Sequence, residues 1–187
     1  FQSQANGVSG DGSTIVGSGH NAVGMEAFRH TAAGGMGLGD LPGGEFRSFA
    51  TGVSGDGSTI VGVGTSAAGA GGEAFRHTAA GGMVGLGDLP GGYAESSATA
   101  VSADGSVVVG RSTSALAPNS FGEAFRWTTP TGMVGLGVLT SSGFDYSFAN
   151  GVSADGASIT GTASTEQGHE IFLWTALAGM VPLGSLE

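Results

Sequence analysis

The segment Val-Ser-x-Asp-Gly occurs four times, starting at Val8, Val53, Val101 and Val152, with its aspartates (Asp11, Asp56, Asp104, Asp155) 45, 48 and 51 residues apart. Nothing else in the chain constrains its fold so strongly. A unit recurring at that period is one supersecondary element that buries its apolar face only by stacking on its neighbours. Two further markers keep the same order in each copy. Glu-Ala-Phe-Arg begins at Glu26, Glu73 and Glu123 and becomes Glu170-Ile171-Phe172-Leu173 in the last copy. Gly-Met followed by Leu-Gly carries Met36, Met83, Met133 and Met180. The 187 residues therefore divide into four copies of about 47 residues, 1–44, 45–92, 93–143 and 144–187, forming one repeat domain.

Each copy reads as four short strands. In copy two, Phe49 to Ser54 alternates toward an Asp56-Gly57 turn, a hairpin signal because Gly supplies positive φ at no steric cost. Thr59 to Val63 is a β-branched run, Glu73 to Thr78 is rich in strand formers, and Met83 to Leu89 completes the unit before Pro90-Gly91-Gly92. No segment combines helical periodicity with caps. Copy lengths differ between strands two and three, in the segments 18–25, 63–72, 111–122 and 162–169, as expected of surface connections that emerge on one side of the array. Four strands per unit of this length predict an all-β, β-propeller-like fold of four tandem four-stranded antiparallel units; the alternative is a linear stack of β-hairpin repeats. Gly12, Gly57, Gly105 and Gly156 are expected at positive φ, and Phe28, Phe75, Phe125 and Phe172 are expected in the core.

The copies resemble the HAF family of extracellular repeat proteins, named for a His-Ala-Phe motif. The match is clearest in Glu123 to Thr128, which follows Val101-Ser102-Ala103-Asp104-Gly105-Ser106-Val107-Val108-Val109-Gly110. Gly37 to Gly44 and Gly85 to Gly92 look like the same family's unit junction. Glu26 and Glu73 stand where the name-giving His would be. The resemblance implies export from a bacterium and an extracellular or cell-surface location, and it brings no catalytic residues with it.

Composition narrows the function classes. Fifteen acidic residues oppose five arginines, with no lysine, for a net charge of −10. That balance offers no footprint for nucleic acid or an anionic membrane surface. No apolar run approaches the roughly 20 residues of a membrane-spanning helix. The chain starts at Phe1 and is read as a mature or trimmed product. Zero Cys excludes disulfides and thiolate chemistry.

Candidate chemical groups have simpler structural roles. Calcium needs six to eight oxygens, usually from clustered acids, whereas each turn brings one Asp among Gly, Ala and Ser; the Asp is expected to cap its own turn. His30 and His77 fill the slot held by Trp127 and Trp174, which marks a packing position; His20 and His169 lie in variable segments without ligand spacing. Glu26, Glu73 and Glu123 recur identically, unlike a catalytic carboxylate pair, whose members need different environments. They are expected to partner Arg29, Arg76 and Arg126 by ion pairs or hydrogen bonds, within a blade or across blades. The Gly-x-Gly runs lead into no helix and so make no phosphate cradle. No catalytic, cofactor-binding or metal-ligating residue is expected, and no enzyme.

The expected function is a secreted, non-catalytic structural or interaction repeat protein of the cell surface or matrix. The alternative is a glycan- or small-ligand-binding β-propeller module, with Phe121 as a stacking residue. Assembly follows from the phase of the copies. Phe1 opens the first strand of copy one and Leu186, matching Leu41, Leu89 and Leu139, closes copy four, so no spare strand completes a ring. Copy one offers an entry face and copy four an exit face, and head-to-tail association of the chain with itself, into a ring or a filament, is expected.

Overall fold

Sixteen strands, four per copy, are formed by the alternating and β-branched segments of residues 2–117, 121–139, 145–166 and 168–184, which a computed structural model describes. Copy one contains β1 (Ser3–Val8), β2 (Ile15–His20), β3 (Met25–Thr31) and β4 (Gly34–Gly37). Copy two contains β5 (Gly43–Val53), β6 (Thr59–Ser66), β7 (Gly69–Thr78) and β8 (Gly82–Gly85). Copy three contains β9 (Ser96–Val101), β10 (Val108–Ser112), β11 (Glu123–Thr128) and β12 (Gly132–Gly135). Copy four contains β13 (Ser147–Val152), β14 (Ser158–Thr165), β15 (Gly168–Thr175) and β16 (Gly179–Pro182). Each copy is an antiparallel meander in chain order. A single parallel pairing, Met25 with Arg47, joins the first two meanders.

Successive meanders pack face to face, and the first strand of each lies beside that of the next: β1 by β5, β5 by β9, β9 by β13. The expected units are present. The described residues build three cores, one at each junction between copies. Val16, Ala27 and Leu38 meet Ala50, Ile60 and Phe75. Val61 and Ala74 meet Ala98, Val108 and Phe125. Val109, Ala124 and Leu136 meet Ala149, Ile159 and Phe172. Period-two alternation supplies both faces, since Ile60 points back to copy one and Val61 forward to copy three.

The first glycine of strand two is required by this packing. Strand one carries a β-bulge in every copy, skipping Asn6, Thr51, Thr99 and Asn150. A Cβ on Gly17, Gly62, Gly110 or Gly161 would lie 1.8–2.0 Å from a carbonyl oxygen of that bulged strand. The backbones approach too closely for any side chain.

Two expectations need correcting. Met36 is not the counterpart of Met83, Met133 and Met180: those pair with His77, Trp127 and Trp174, whereas Met36 pairs with Arg29. Copy one is one residue short between strands three and four, and a one-residue shift moves a side chain to the other face. Gly35 holds the methionine slot instead. Phe75, Phe125 and Phe172 are fully buried as expected, but Phe28 is only half-buried. The difference is positional: Phe75, Phe125 and Phe172 each pack against the copy before them, and among the described residues no such copy lies against Phe28. Phe1 and Leu186 fall outside the described residues.

Candidate functional site

The turn aspartates serve their own loops. Asp11 Oδ1 accepts hydrogen bonds from Ser9 Oγ (2.6 Å) and the Ser13 N–H (2.9 Å). Asp56, Asp104 and Asp155 accept the equivalent pair from Ser54 and Ser58, Ser102 and Ser106, and Ser153 and Ala157. These donors, with the serine hydroxyl first, hold Asp11 and Asp104 at about 2 and lower Asp56 and Asp155. The four turn glycines take φ of 71–73°, as the Asp-Gly signal predicts. Among the described residues, no three His, Cys, Asp or Glu side chains converge as a metal ion would require.

Among the described residues the expected Glu–Arg ion pair does not form, within a copy or between copies. Residues three apart on a strand point to opposite faces, so Glu26 cannot reach Arg29. Instead Glu26, Glu73 and Glu123 reach across strand four, and each Oε1 accepts the N–H of Gly39, Gly87 or Gly137 at 2.9–3.1 Å. The carboxylates lie over Gly37, Gly85 and Gly135, where a Cβ would come within 2.1–2.3 Å of them. Copy four has Pro182 in that slot, and among the described residues Glu170 makes no such bond. The Gly-to-Pro change was the sequence signal for this role. Arg29, Arg76 and Arg126 lie on the forward face of strand three, and Arg29 and Arg76 share a groove with Asp56 and Asp104. His77 is half-buried as a packing residue; burial, then the Arg29 charge, lowers its pKa.

One set of polar contacts recurs at all three junctions, and sequence reasoning did not find it. The bulged residue of strand one bonds the following copy: Asn6 Nδ2 donates to Ala50 C=O (2.8 Å), Thr51 Oγ1 to Ala98 C=O (2.8 Å) and Thr99 Oγ1 to Ala149 C=O (2.5 Å). A serine of strand one, three residues before the bulge, bonds the preceding copy twice. Ser48, Ser96 and Ser147 accept from the N–H of Ala27, Ala74 and Ala124 at 2.9–3.0 Å. They donate to the carbonyls of Gly39, Gly87 and Gly137 at 2.6–2.7 Å. All three serines are buried. The turn glycines Gly57, Gly105 and Gly156 seat on Thr14, Thr59 and Val107 of the copy before, where a Cβ would come within 2.3–2.6 Å.

Among the described residues, the first and last copies carry halves of this set that no other copy meets. On copy one, Ser3 and Ala5 are exposed, Val8 and Ile15 are 60% and 38% exposed, and Gly12 has nothing within 4 Å of a Cβ. On copy four, Asn150 is exposed, and Ile171 and Leu183 are each 55% exposed where Ala27 and Leu38 are buried. Val181 is no sign of an open end, because Met36, Val84 and Val134 in the same slot are exposed in every copy.

Meanders stacked face to face with their first strands adjacent are the blades of a propeller. The solved structures agree. TolB from Acinetobacter baumannii superposes with a TM-score of 0.61 at 12% identity, covering 99% of this chain and 44% of that one. A TolB-type protein from Agrobacterium tumefaciens gives 0.63 at 16% identity, covering 99% and 62%. The chain thus spans about half the length of these propellers. Likeness at such identity shows the fold alone. No protein-family model matches the sequence, and no curated protein is similar to it. No helix among the described residues is long and apolar enough to cross a membrane.

A second feature gathers at the strand-two to strand-three side of copies three and four. Phe121, 54% exposed, lies 5.5 Å from the Tyr146 ring, which lies 5.0 Å from Phe148 and 5.5 Å from His169. Tyr146 Oη and His169 Nδ1 are hydrogen-bonded. Arg111 sits over Phe148 and pairs with Glu95 at 3.6 Å. Residues 118–120 of the segment 111–122, and 167 of 162–169, lie outside the described residues.

Proposed function

We propose that this protein is a secreted, non-catalytic structural or interaction module of a bacterial cell surface or matrix, which self-assembles through the ends of its array. The observation that carries the reading is the contact set repeated at all three internal junctions, which makes each copy complementary to the next. The resemblance to extracellular repeat proteins supports the location, and the carboxylates of Glu26, Glu73 and Glu123, each accepting a glycine N–H, support a scaffold rather than a reaction centre. Light scattering after size exclusion tests it: species heavier than 18.1 kDa are expected, increasing with concentration. A chain that stays at 18.1 kDa throughout would reject self-assembly.

The aromatic cluster around Tyr146 favours a second reading, a glycan- or small-ligand-binding propeller module. The exposed Phe121 ring beside the partly buried Tyr146 presents an apolar face, with Arg111 and Glu95 nearby as polar partners. A glycan array showing saturable binding that Phe121→Ala abolishes would establish it; no binding above background would remove it.

A further inference from the structure

We propose that the edge formed by the Asp-Gly turns of copies two and three binds an acidic polysaccharide, whose carboxylates are held by Arg29, Arg76 and Arg126. Strand pairing puts each arginine in one slot. Arg29 stands between Val16 and Met36, Arg76 between Val61 and Val84, and Arg126 between Val109 and Val134. The first valine of each set is buried in a junction core, and the outer residue is exposed. Each arginine therefore sits on the outer part of the face that meets the following copy. One groove runs from Arg29 past the Asp56-Gly57 turn to Arg76, and a second from Arg76 past the Asp104-Gly105 turn to Arg126. They share Arg76 and Asp104 and so adjoin. Their volumes, about 530 and 570 Å³, are those of small-ligand clefts. Both lie at junctions inside the chain, at the opposite end of the strands from the Tyr146 cluster.

The charges suit such an occupant. The chain has five arginines, no lysine and a net charge of −10, yet three of the arginines share this line. Arg47 lies over the Phe49 ring and Arg111 pairs with Glu95, whereas no described carboxylate comes within 4 Å of Arg29, Arg76 or Arg126. Nε of Arg29 and of Arg76 is buried without a hydrogen-bond partner among the described residues, and Arg76 Nη2 makes one long bond to Thr59 Oγ1 (3.4 Å). A guanidinium with donors to spare takes a carboxylate through two parallel N–H···O bonds.

The turn aspartates select among anions. Their turn hydrogen bonds all fall on Oδ1, which leaves Oδ2 of Asp56 and Asp104 to accept from a ligand hydroxyl. Ser58 and Thr78 line one groove, and Ser106, Thr129 and Thr131 the other. A polymer with a carboxylate on every unit and no hydroxyl, such as an acidic peptide, meets repulsion at each aspartate. A polysaccharide with acid groups spaced by neutral sugar gives the arginines carboxylates and the aspartates hydroxyls. The repeated groove suits a repeating ligand, since a second site engaged on one polymer binds at high effective concentration.

Hyaluronan, in which a uronate alternates with a neutral sugar, is the probe. Titration calorimetry at low salt should show saturable binding that weakens as salt rises. Dextran should not bind, and polyglutamate should bind more weakly than hyaluronan by about tenfold. Arg76→Gln, where the grooves adjoin, should weaken hyaluronan binding by about tenfold or more, and Arg47→Gln, an equal change of charge, should not. Circular dichroism checks that each variant folds; should Arg76→Gln fail to fold, Arg126→Gln gives the same reading. No saturable binding of hyaluronan, equal binding of dextran, or binding that survives both groove variants would overturn the proposal. Polyglutamate binding as tightly as hyaluronan would overturn it in favour of an acidic peptide. Binding that Phe121→Ala abolishes and Arg76→Gln leaves intact would overturn the groove and leave glycan recognition to the Tyr146 cluster.

Discussion

Phe28 and Phe125 hold the same slot of their copies, yet replacing them with alanine should cost very different amounts. Phe125 is fully buried in the core between copies two and three, with its Cε1 within 2.9 Å of where a Cβ on Gly110 would stand. Emptying such a site removes the ring's transfer energy and leaves a cavity, which together cost about 3–5 kcal/mol. Phe28 is half-buried and belongs to none of the three cores, so its truncation forfeits about 1–2 kcal/mol. With a guanidinium chloride slope of roughly 4 kcal/mol/M, the midpoint should fall by about 1 M for Phe125→Ala and by less than about 0.5 M for Phe28→Ala. Unfolding followed by circular dichroism at low protein concentration measures both. Tandem arrays can lose copies singly, so ring signals near Trp127 and Trp174 should be followed alongside the backbone signal. Equal losses at the two positions would refute the reasoning, because they would mean that the neighbouring copy contributes nothing to burying the ring.

Three other outcomes are expected. Ser96→Ala strands Ala74 N–H and the Gly87 carbonyl in a buried junction and should cost about 2–4 kcal/mol, whereas Ser3→Ala at the open end should leave the dilute monomer's melting temperature within about a degree. Gly135→Ala pushes the Glu123 carboxylate off the Gly137 N–H and should cost about 1–2 kcal/mol; Pro182→Gly, where Glu170 makes no bond to lose, should not destabilise, and thermal melts compare the two. The folded pKa of Asp11 and Asp104 lies below the unfolded value, so their stabilising contribution is complete above about pH 4 and is lost as pH falls through about 2. Melting temperature should therefore be flat down to about pH 4 and then decline, with a smaller decline in Asp104→Asn; an unchanged acid profile in that variant would show that the turn hydrogen bonds do not act on stability.

The four-copy period, the strands and the Asp-Gly turns were legible in the sequence because they depend on local chemistry: alternation, β-branching, and glycine at positive φ. The same holds for the turn role of Asp11, Asp56, Asp104 and Asp155, whose partners lie two residues away. Contacts between copies were not legible, because they depend on which residues the stacking brings together. Ser48, Ser96 and Ser147 are ordinary residues in the sequence and became junction partners only when strand one of a copy lay against strand three of the copy before. Glu26 and Arg29 looked like partners at close spacing, but the pleat separates them and puts a glycine N–H within the carboxylate's reach. Repetition alone establishes that neighbouring copies are complementary. Only the tertiary structure decides which surfaces are left over, since a face is exposed or buried according to whether a neighbour stands against it, as the half-buried Phe28 and the exposed Ile171 show at opposite ends of the array.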